Sequence, residues 1–473
     1  MLQFLGLRFK FIYLFLAAIC MAAQADVIHL KNGKSIVADS THEVNGRVEY
    51  TVGENTFAIP LSLVETIDAG MPASVPGASQ PAPSEDVPRP PEVQNGKDLI
   101  AQVIRDGQID AAALRSIEAQ GNADLSAAAN LVAANFEEKR NHLNEAARYF
   151  NTALGFAPNY AVLLEHYASV LVKLGKPAEA ILYGERATRA SPEASEAFAI
   201  LGYAYYKNEQ LREAIAAWKK SLALKKDSKV EELLARAERE DKAEADYREQ
   251  QSSHFVLRYE GSQAPDSLRT DILSVLEEHY STLQRDLGAA PGNISVSLYT
   301  KQAFFDVTQA PAWSAAMNDG KLRIPVSGLT GMTPALMRVL HHELTHSFTG
   351  YITHRHLPQW LDEGIAQMEE PRSASMFGPR LAALYTAGRQ IPLDQLESTF
   401  QSYGQDEAFV AYAEALAAVE CIRTNHGMAN LAQLLQKLGS GEPIESALRS
   451  TIHGGYAQLE GEITEYLKKN YGQ

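Results

Sequence analysis

The chain has 473 residues, enough for two or three domains, and its 45% hydrophobic and 21% charged residues are typical of a soluble globular protein. Its 43 basic and 58 acidic residues give a net charge of −15, which argues against nucleic acid or an anionic membrane as the main partner.

The first 25 residues have the pattern of a secretory signal peptide. Two basic residues precede the apolar run FIYLFLAAICMAA, and AQA before Asp26 supplies an A-x-A cleavage site. An uncleaved anchor is the alternative, but the run is short for a membrane span, and the bulky Ile19 before Cys20 disfavours a lipoprotein. Removal of this segment leaves Cys421 alone, so no internal disulfide can form. We expect secretion across the inner membrane, into a bacterial periplasm, without stable membrane insertion.

Residues 26–68 predict a small β module, and residues 69–97 predict a linker. The module has three β-rich runs, separated by Asn-Gly turns at 32–33 and 45–46 and by a third turn at 53–55. It is too short to be more than an appendage that docks on another domain or binds a partner. Proline, alanine, serine and glycine dominate the linker, so it cannot bury a core and is expected to be flexible.

Residues 98–250 predict an all-α region built from repeats. Ala146, Ala180 and Ala214 are 34 residues apart, and so are Pro158 and Pro192. The third unit has small and large residues at the spacing of the tetratricopeptide repeat, namely Leu201, Gly202, Tyr205, Ala214 and Trp218. The chain resembles that family over about residues 127–230, which implies a curved stack of paired helices that binds peptides or partner proteins. A spacer is the alternative.

Residues 251–473 predict an α+β domain, because strands come first and helices follow them. Strands are expected at SHFVLRYE, NISVSLYT and GKLRIPVSG, and the chain from residue 333 onwards is mostly helical. We expect the strand Lys321–Val326 to lie where it could hold an extended peptide by edge pairing.

The segment TPALMRVLHHELTHSFTG predicts a helix on which a metal site could form. Thr333 is a good N-cap, Pro334 fits the first helical position, and Gly350 fits the residue after the helix end. Apolar residues at every fourth position predict a buried stripe, namely Leu336, Leu340, Leu344 and Phe348.

Residues 342–346 have the pattern His-Glu-x-x-His. On a helix, His342 and His346 are one turn apart on a common face, so their imidazoles can converge on one ion at about 2.0–2.1 Å. Glu343 projects beside this site, where it can take a proton from a metal-bound water instead of ligating. Three other histidines are expected to be bystanders, His341 off the zinc face and His354 and His356 in a loop that could contact substrate.

Glu363 is the predicted third ligand. It lies seventeen residues after His346, in a second helix that Pro358 can open. A histidine ligand six residues after His346 is excluded, because Ile352 occupies that position. A solvated carboxylate is the alternative for Glu363, but apolar neighbours place it near a buried face. Gln367, one turn further on, could orient a ligand.

HHELTH followed by WLDEGIA resembles the gluzincin zinc metallopeptidases, and in particular the peptidase MA-like domains. The resemblance covers about residues 252–470 and implies a zincin-like fold that hydrolyses peptide bonds in a protein or peptide substrate. It also implies that Zn²⁺ is held by His342, His346 and Glu363, with Glu343 as the general base. The Gly-x-Met-Glu-Asn motif with which aminopeptidases of this clan read a free amino terminus is missing from the sequence, which favours an endopeptidase.

Tyr412, in FVAYAEA, is the candidate donor for the oxyanion, and a core or surface tyrosine is the alternative.

Two other functions stay open for the chain. It could be a helical-repeat scaffold with an inactive peptidase-like domain, which the intact His-Glu-x-x-His and Glu363 disfavour. The zinc site could also be structural, which the lack of cysteines nearby disfavours. The expected function is an exported zinc endopeptidase whose repeats recruit substrate or a partner.

Overall fold

A computed structural model describes residues 26–31, 35–38, 40–44, 46–52, 55–68, 80–81, 88, 96–261, 264–310, 315–326, 328–370, 374–400, 403 and 405–472. The predicted signal peptide and most of the predicted linker lie outside these residues, as does the predicted turn at 32–33. The chain forms two compact units, Met1–Pro76 and Gly77–Gln473. The finer domain limits drawn from the sequence stay predictions.

The first unit is a small all-β structure in its described residues. Its strands are β1 (Asp26–Leu30), β2 (Ser35–Ala38), β3 (Ser40–Val44), β4 (Arg47–Val52), β5 (Asn55–Pro60) and β6 (Val64–Asp68). They pair antiparallel in two sheets of three strands, in the orders β2-β1-β6 and β3-β4-β5. Ile28, Val48 and Val64 form its buried core. The predicted β content of this region is confirmed.

The second unit begins with short strands and a stack of helices. These elements are β7 (Gln80–Pro81), α1 (Lys97–Val103), β8 (Ile104–Arg105), β9 (Gln108–Ile109), α2 (Ala111–Glu118), α3 (Ala123–Lys139), α4 (Leu143–Phe156), α5 (Ala161–Lys173), α6 (Pro177–Ala190), α7 (Ser195–Lys207), α8 (Leu211–Leu224) and α9 (Ser228–Ala243). Successive helices pack in pairs, α3 on α4, α5 on α6 and α7 on α8, and α9 then packs on α8. This pairing confirms the predicted repeat stack.

Small and large residues fit together where α7 meets α8. Trp218 is fully buried, and its indole Nε1 donates a hydrogen bond to the carbonyl oxygen of Ala199 at 3.0 Å. The ring lies so close to Gly202 that a Cβ atom there would be 2.6 Å from Cδ1 of Trp218. Glycine is therefore required at this crossing, because any side chain would push the two helices apart.

A mixed sheet follows the stack. Its elements are β10 (Arg248–Gln251), β11 (Phe255–Tyr259), α10 (Asp266–Leu287), β12 (Ile294–Tyr299), α11 (Lys301–Thr308), β13 (Met317–Asn318) and β14 (Leu322–Pro325). The strand order is β10-β11-β12-β14-β13-β7. Strands β11, β12 and β14 are parallel, whereas β10 and β13 run antiparallel to the strands they flank, and β7 pairs in parallel with β13. The predicted α+β class is confirmed.

The prediction that Lys321–Val326 pairs with a peptide at a sheet edge is wrong. Strand β14 is an interior strand of the sheet, paired with β12 along its length and with β13 on the other side at Leu322 and Arg323. Its residues Leu322, Arg323 and Ile324 are at most 1% exposed. Among the described residues, the edges of this sheet are β10 and β7.

The rest of the unit is helical, and one of its helices ends later than predicted. These helices are α12 (Pro334–Thr353), α13 (Gln359–Glu369), α14 (Gly378–Thr386), α15 (Gln405–His426), α16 (Met428–Gly439), α17 (Ile444–Ile452) and α18 (Tyr456–Tyr471). Helix α12 continues past Gly350, because Ile352 and Thr353 are buried and His354 takes the left-handed cap position at φ 50°. None of the helices in the described part of the chain combines the length and the apolar composition of a membrane span.

We expect Gly202→Ala to lower the free energy of unfolding by about 1–3 kcal/mol, because the added methyl group overpacks the Trp218 contact. Urea denaturation followed by far-UV circular dichroism measures the change. Gly155→Ala on α4 is the matched control, because a Cβ atom there meets nothing within 4 Å, and it should stabilise slightly. Equal effects of the two substitutions would contradict the packing argument.

Candidate metal centre

Helix α12 is anchored at its start and along its apolar side. Oγ1 of Thr333 accepts a hydrogen bond from the N–H of Leu336 at 3.1 Å, and Pro334 follows as the first helical residue, which confirms the predicted N-cap. The predicted stripe is at most 5% exposed along its length, at Leu336, Leu340, Leu344 and Phe348. Phe348 packs edge-on against Tyr280 of α10, with 5.0 Å between ring centroids. The anchored helix thus fixes where its histidines lie.

Helix α13 carries Glu363, and a glycine allows it to approach the core. The helix packs against both α12 and α15. A Cβ atom on Gly364 would lie 2.4 Å from the carbonyl oxygen of Ala415 and 2.5 Å from Cγ2 of Val419, both on α15. The close contact of α13 with α15 therefore requires glycine beside Glu363, whose own side chain is fully buried.

The three predicted ligands converge. Nε2 of His342 lies 3.1 Å from Nε2 of His346 and 3.5 Å from Oε2 of Glu363. One ligand atom from each of the three residues lies within 4.8 Å of the others. His342 and Glu363 are fully buried, and the side chain of His346 is 11% exposed, so His346 is the most accessible of the three. Two imidazole nitrogens and one carboxylate form a donor set that a catalytic zinc uses, with a coordination position left over.

A carboxylate holds each imidazole at the nitrogen opposite the cluster. Nδ1 of His342 lies 2.6 Å from Oε1 of Glu370, and Nδ1 of His346 lies 3.0 Å from Oδ1 of Asp362. Thr349 donates a hydrogen bond from its hydroxyl to the same oxygen of Asp362 at 2.6 Å. These contacts direct both Nε2 atoms into the cluster, and carboxylate partners of this kind orient histidines in metal sites.

Asp362 and Glu370 were missed by the sequence reasoning, although spacing could have found one of them. Glu370 follows Glu363 by seven residues, which is two helical turns and hence the same face. Gln367, expected to orient a ligand, donates to main-chain oxygens instead, those of Glu363 at 3.2 Å and Tyr412 at 3.0 Å. The side chain that holds the carboxylate of Glu363 is Gln359, which donates to its Oε1 at 2.9 Å.

Glu343 projects into the same buried space. It is 2% exposed, and its Oε2 has no hydrogen-bond partner among the described residues. Burial raises the pKa of its carboxyl group to about 7, although His342 and His346 favour the charged form. A buried carboxylate oxygen without a protein donor is free to bind a water molecule or substrate, as the proposed base must.

Tyr412 on α15 lies next to this cluster. Its side chain is 5% exposed, and its ring packs edge-on against Phe400, with 5.1 Å between centroids. Burial raises the pKa of its hydroxyl well above the usual value, and the carboxylates of Glu363 and Glu343 raise it further. Tyr412 is therefore a neutral phenol close to the predicted ligand and base, and its role as an oxyanion donor stays a prediction.

The three remaining histidines of the region lie apart from the cluster. His341 stacks on His279 of α10, with 4.0 Å between ring centroids and 12° between ring planes. His354 occupies the cap of α12, and His356 is exposed in the loop that follows. A metal cluster that includes any of them is not found among the described residues.

The charge of the site fits a cation. Burial disfavours the charged form of His342, yet Glu370 and Glu363 outweigh it and hold the pKa of the imidazole well above its usual value. With Glu343 and Asp362, four carboxylates surround two imidazoles in a buried space. Uncompensated buried charge is unfavourable, so the residues present fit a bound metal ion.

Residues 283–469 match the family model of the Peptidase MA superfamily. The match includes α12 and α13 and hence the whole cluster, and it spans less than half of the chain. It assigns a peptidase MA-like domain to this region, as the sequence resemblance implied.

Among solved structures, "MamA 41-end from Desulfovibrio magneticus RS-1" is similar to part of the chain. The two are 23% identical, and the alignment covers 28% of this chain and 75% of that chain, with a TM-score of 0.25. The repeat assignment rests on the helix pairs α3–α4, α5–α6 and α7–α8. No curated protein matches the chain.

We expect Glu370→Gln and Asp362→Asn each to weaken metal binding by about 10- to 100-fold, because the histidines lose the carboxylates that orient them. Competition with a chromophoric chelator measures the metal affinity. Glu369→Gln is the matched control, since it replaces a carboxyl group on the same helix outside the two imidazole contacts, and we expect its effect to be small. A loss of affinity in the control equal to that in the other two would show a general charge effect instead.

Proposed function

We propose that the protein is a zinc-dependent metallopeptidase of the gluzincin type, and an endopeptidase. The observation that carries the proposal is the convergence of His342, His346 and Glu363 beside an unpartnered oxygen of Glu343. The match of residues 283–469 to the Peptidase MA superfamily supports the same chemistry.

The donor set favours zinc over other metals. Two histidines and one carboxylate suit zinc, whereas calcium and magnesium prefer all-oxygen ligands. The described residues place no cysteine at the cluster, and cysteine-rich sets are typical of closed structural zinc sites. When bound, zinc would lower the pKa of a water molecule and polarise the scissile carbonyl.

The protein residues supply the proton transfers and the orientation. Glu343 takes a proton from the attacking water and returns it to the leaving amine. Tyr412, as a neutral phenol, donates a hydrogen bond to the oxyanion of the tetrahedral intermediate. Glu370 and Asp362 hold the imidazoles in place through both steps.

The remaining parts of the proposal concern location and recruitment. The signal-peptide pattern in the first 25 residues supports export and a periplasmic location. The stack α3–α9 offers a surface for a substrate protein or a partner, which such stacks bind along their length.

Zinc analysis and hydrolysis of casein and a peptide library test the function directly. We expect one zinc ion per chain in the wild type, and in Glu343→Gln we expect retained zinc with kcat lowered by about 10²- to 10⁴-fold, because the general base is lost. Glu363→Gln is the companion variant, and it should lose zinc. Full activity in Glu343→Gln would refute the mechanism, and a zinc-free wild type would favour the scaffold alternative.

Tyr412→Phe tests the oxyanion donor. The substitution removes one hydroxyl and keeps the packing against Phe400, so we expect kcat to fall by about 10²- to 10³-fold. KM and zinc content should stay close to the wild-type values, since the hydroxyl acts on the transition state. Steady-state kinetics on one peptide give both constants, and an unchanged kcat would make Tyr412 a packing residue.

A further inference from the structure

A buried turn lies between the repeat stack and the helix of the candidate site. It comprises residues 318–321, which join β13 to β14, and Asn318, Asp319 and Lys321 are at most 6% exposed. Two of its side chains hold the turn in shape. The N–H of Gly320 donates to Oδ1 of Asn318 at 2.9 Å, and the N–H of Lys321 donates to Oδ1 of Asp319 at 3.2 Å. The turn is therefore a fixed element that can transmit a displacement.

On the site side, Asn318 fastens one turn of α12. Its amide nitrogen donates to the main-chain oxygen of Glu343 and, at 2.7 Å, to Oγ of Ser347. Glu343 and Ser347 are four residues apart, so the amide spans the helical turn that also contains His346. Because a side chain moves with its main chain, the position of the Asn318 amide sets the position of the Glu343 carboxylate.

On the repeat side, helices α7 and α9 hold Asp319. Arg236 of α9 forms an ion pair with its carboxylate, and Lys207 at the end of α7 donates to its main-chain oxygen at 2.9 Å. Arg323 of β14 donates to the same carboxylate at 2.9 Å. Asp319 thus joins the last helices of the stack to the residue next to Asn318.

Two further buried ion pairs reinforce this junction. Glu240 of α9 accepts from Lys321 at 2.6 Å and from Arg323 at 2.9 Å, and all three side chains are at most 4% exposed. Removal of Glu240 would leave Lys321 and Arg323 with fewer counter-ions in a buried site, which is unfavourable. The stack and the turn are consequently fixed to each other, and a change in the stack reaches Asn318.

We propose that Asn318 is a positioning residue for the general base and that the repeat stack sets its position through Asp319. The proposal rests on the proposed function, in which Glu343 is the base. The stack then supports the geometry of the site, in addition to any role in recruitment.

The test uses the full-length protein and four variants. Asn318→Asp keeps the shape of the side chain but removes the donor, and Arg236→Gln removes the ion pair with Asp319. The double variant combines the two substitutions. Lys219→Gln is the matched control, because it breaks an exposed 2.8 Å ion pair with Glu238 between α8 and α9. Readouts are kcat, KM, zinc content and hydrogen exchange of residues 341–350 in the metal-free protein.

Asn318→Asp should lower kcat by about 10- to 100-fold and Arg236→Gln by a smaller factor, because small displacements of a reacting group cost rate. KM and zinc content should stay within about twofold, since neither the ligands nor the substrate contacts change. Both variants should speed hydrogen exchange at residues 341–350, and Lys219→Gln should not. The double variant should lose no more kcat than Asn318→Asp alone, because the two residues act in series.

Unchanged exchange at residues 341–350 in folded Arg236→Gln would overturn the proposal, as would multiplicative losses in the double variant. If Arg236→Gln does not fold, Lys207→Gln replaces it, because this substitution removes a half-buried hydrogen bond to the same residue. If the wild type hydrolyses no peptide, the proposed function fails, and the exchange data still decide whether the stack positions α12.

Discussion

Buried negative charge is the constraint on which the rest of the candidate metal centre depends. Four carboxylates lie around two imidazoles, and Glu343, Glu363 and Glu370 are at most 2% exposed; the effective penalty for burying an ion is several kcal/mol. Such a site is stable when a cation neutralises it or when protons are taken up. The fold keeps these groups together in two ways. Helix α13 packs closely against α15 at Gly364, and α12 is long and capped at both ends.

The sequence was sufficient to predict those features of the site that depend only on residues within one helix. His342 and His346 share a face because they are four residues apart, and Thr333 caps its own helix. Glu363 could also be predicted as a ligand, because the loop between its helix and α12 is short. Asp362 was not predicted, because its contact with His346 depends on how α13 is rotated against α12. The hydrophobic periodicity of one helix does not predict its rotation relative to another helix.

The wrong predictions share one cause, which is that distant parts of the chain override local preference. Lys321 and Arg323 alternate with apolar residues, a pattern that is typical of an exposed strand. Their charges are instead met by Glu240, about eighty residues earlier in the chain. Gly350 is of a residue type that often follows a helix end. Helix α12 nevertheless continues to Thr353, because Ile352 is buried. In both cases tertiary packing decided the outcome.

The ion pairs of Glu240 with Lys321 and Arg323 also bear on how this chain can have evolved. Repeat stacks and catalytic domains are commonly regarded as modules that recombination can exchange. An exchange at this junction would leave Arg323 with Asp319 as its counter-ion but would remove every carboxylate that pairs with the buried Lys321, and the recombinant would be destabilised. The two halves are therefore expected to be inherited together, and substitutions at Glu240 and Arg323 to be accepted as a pair.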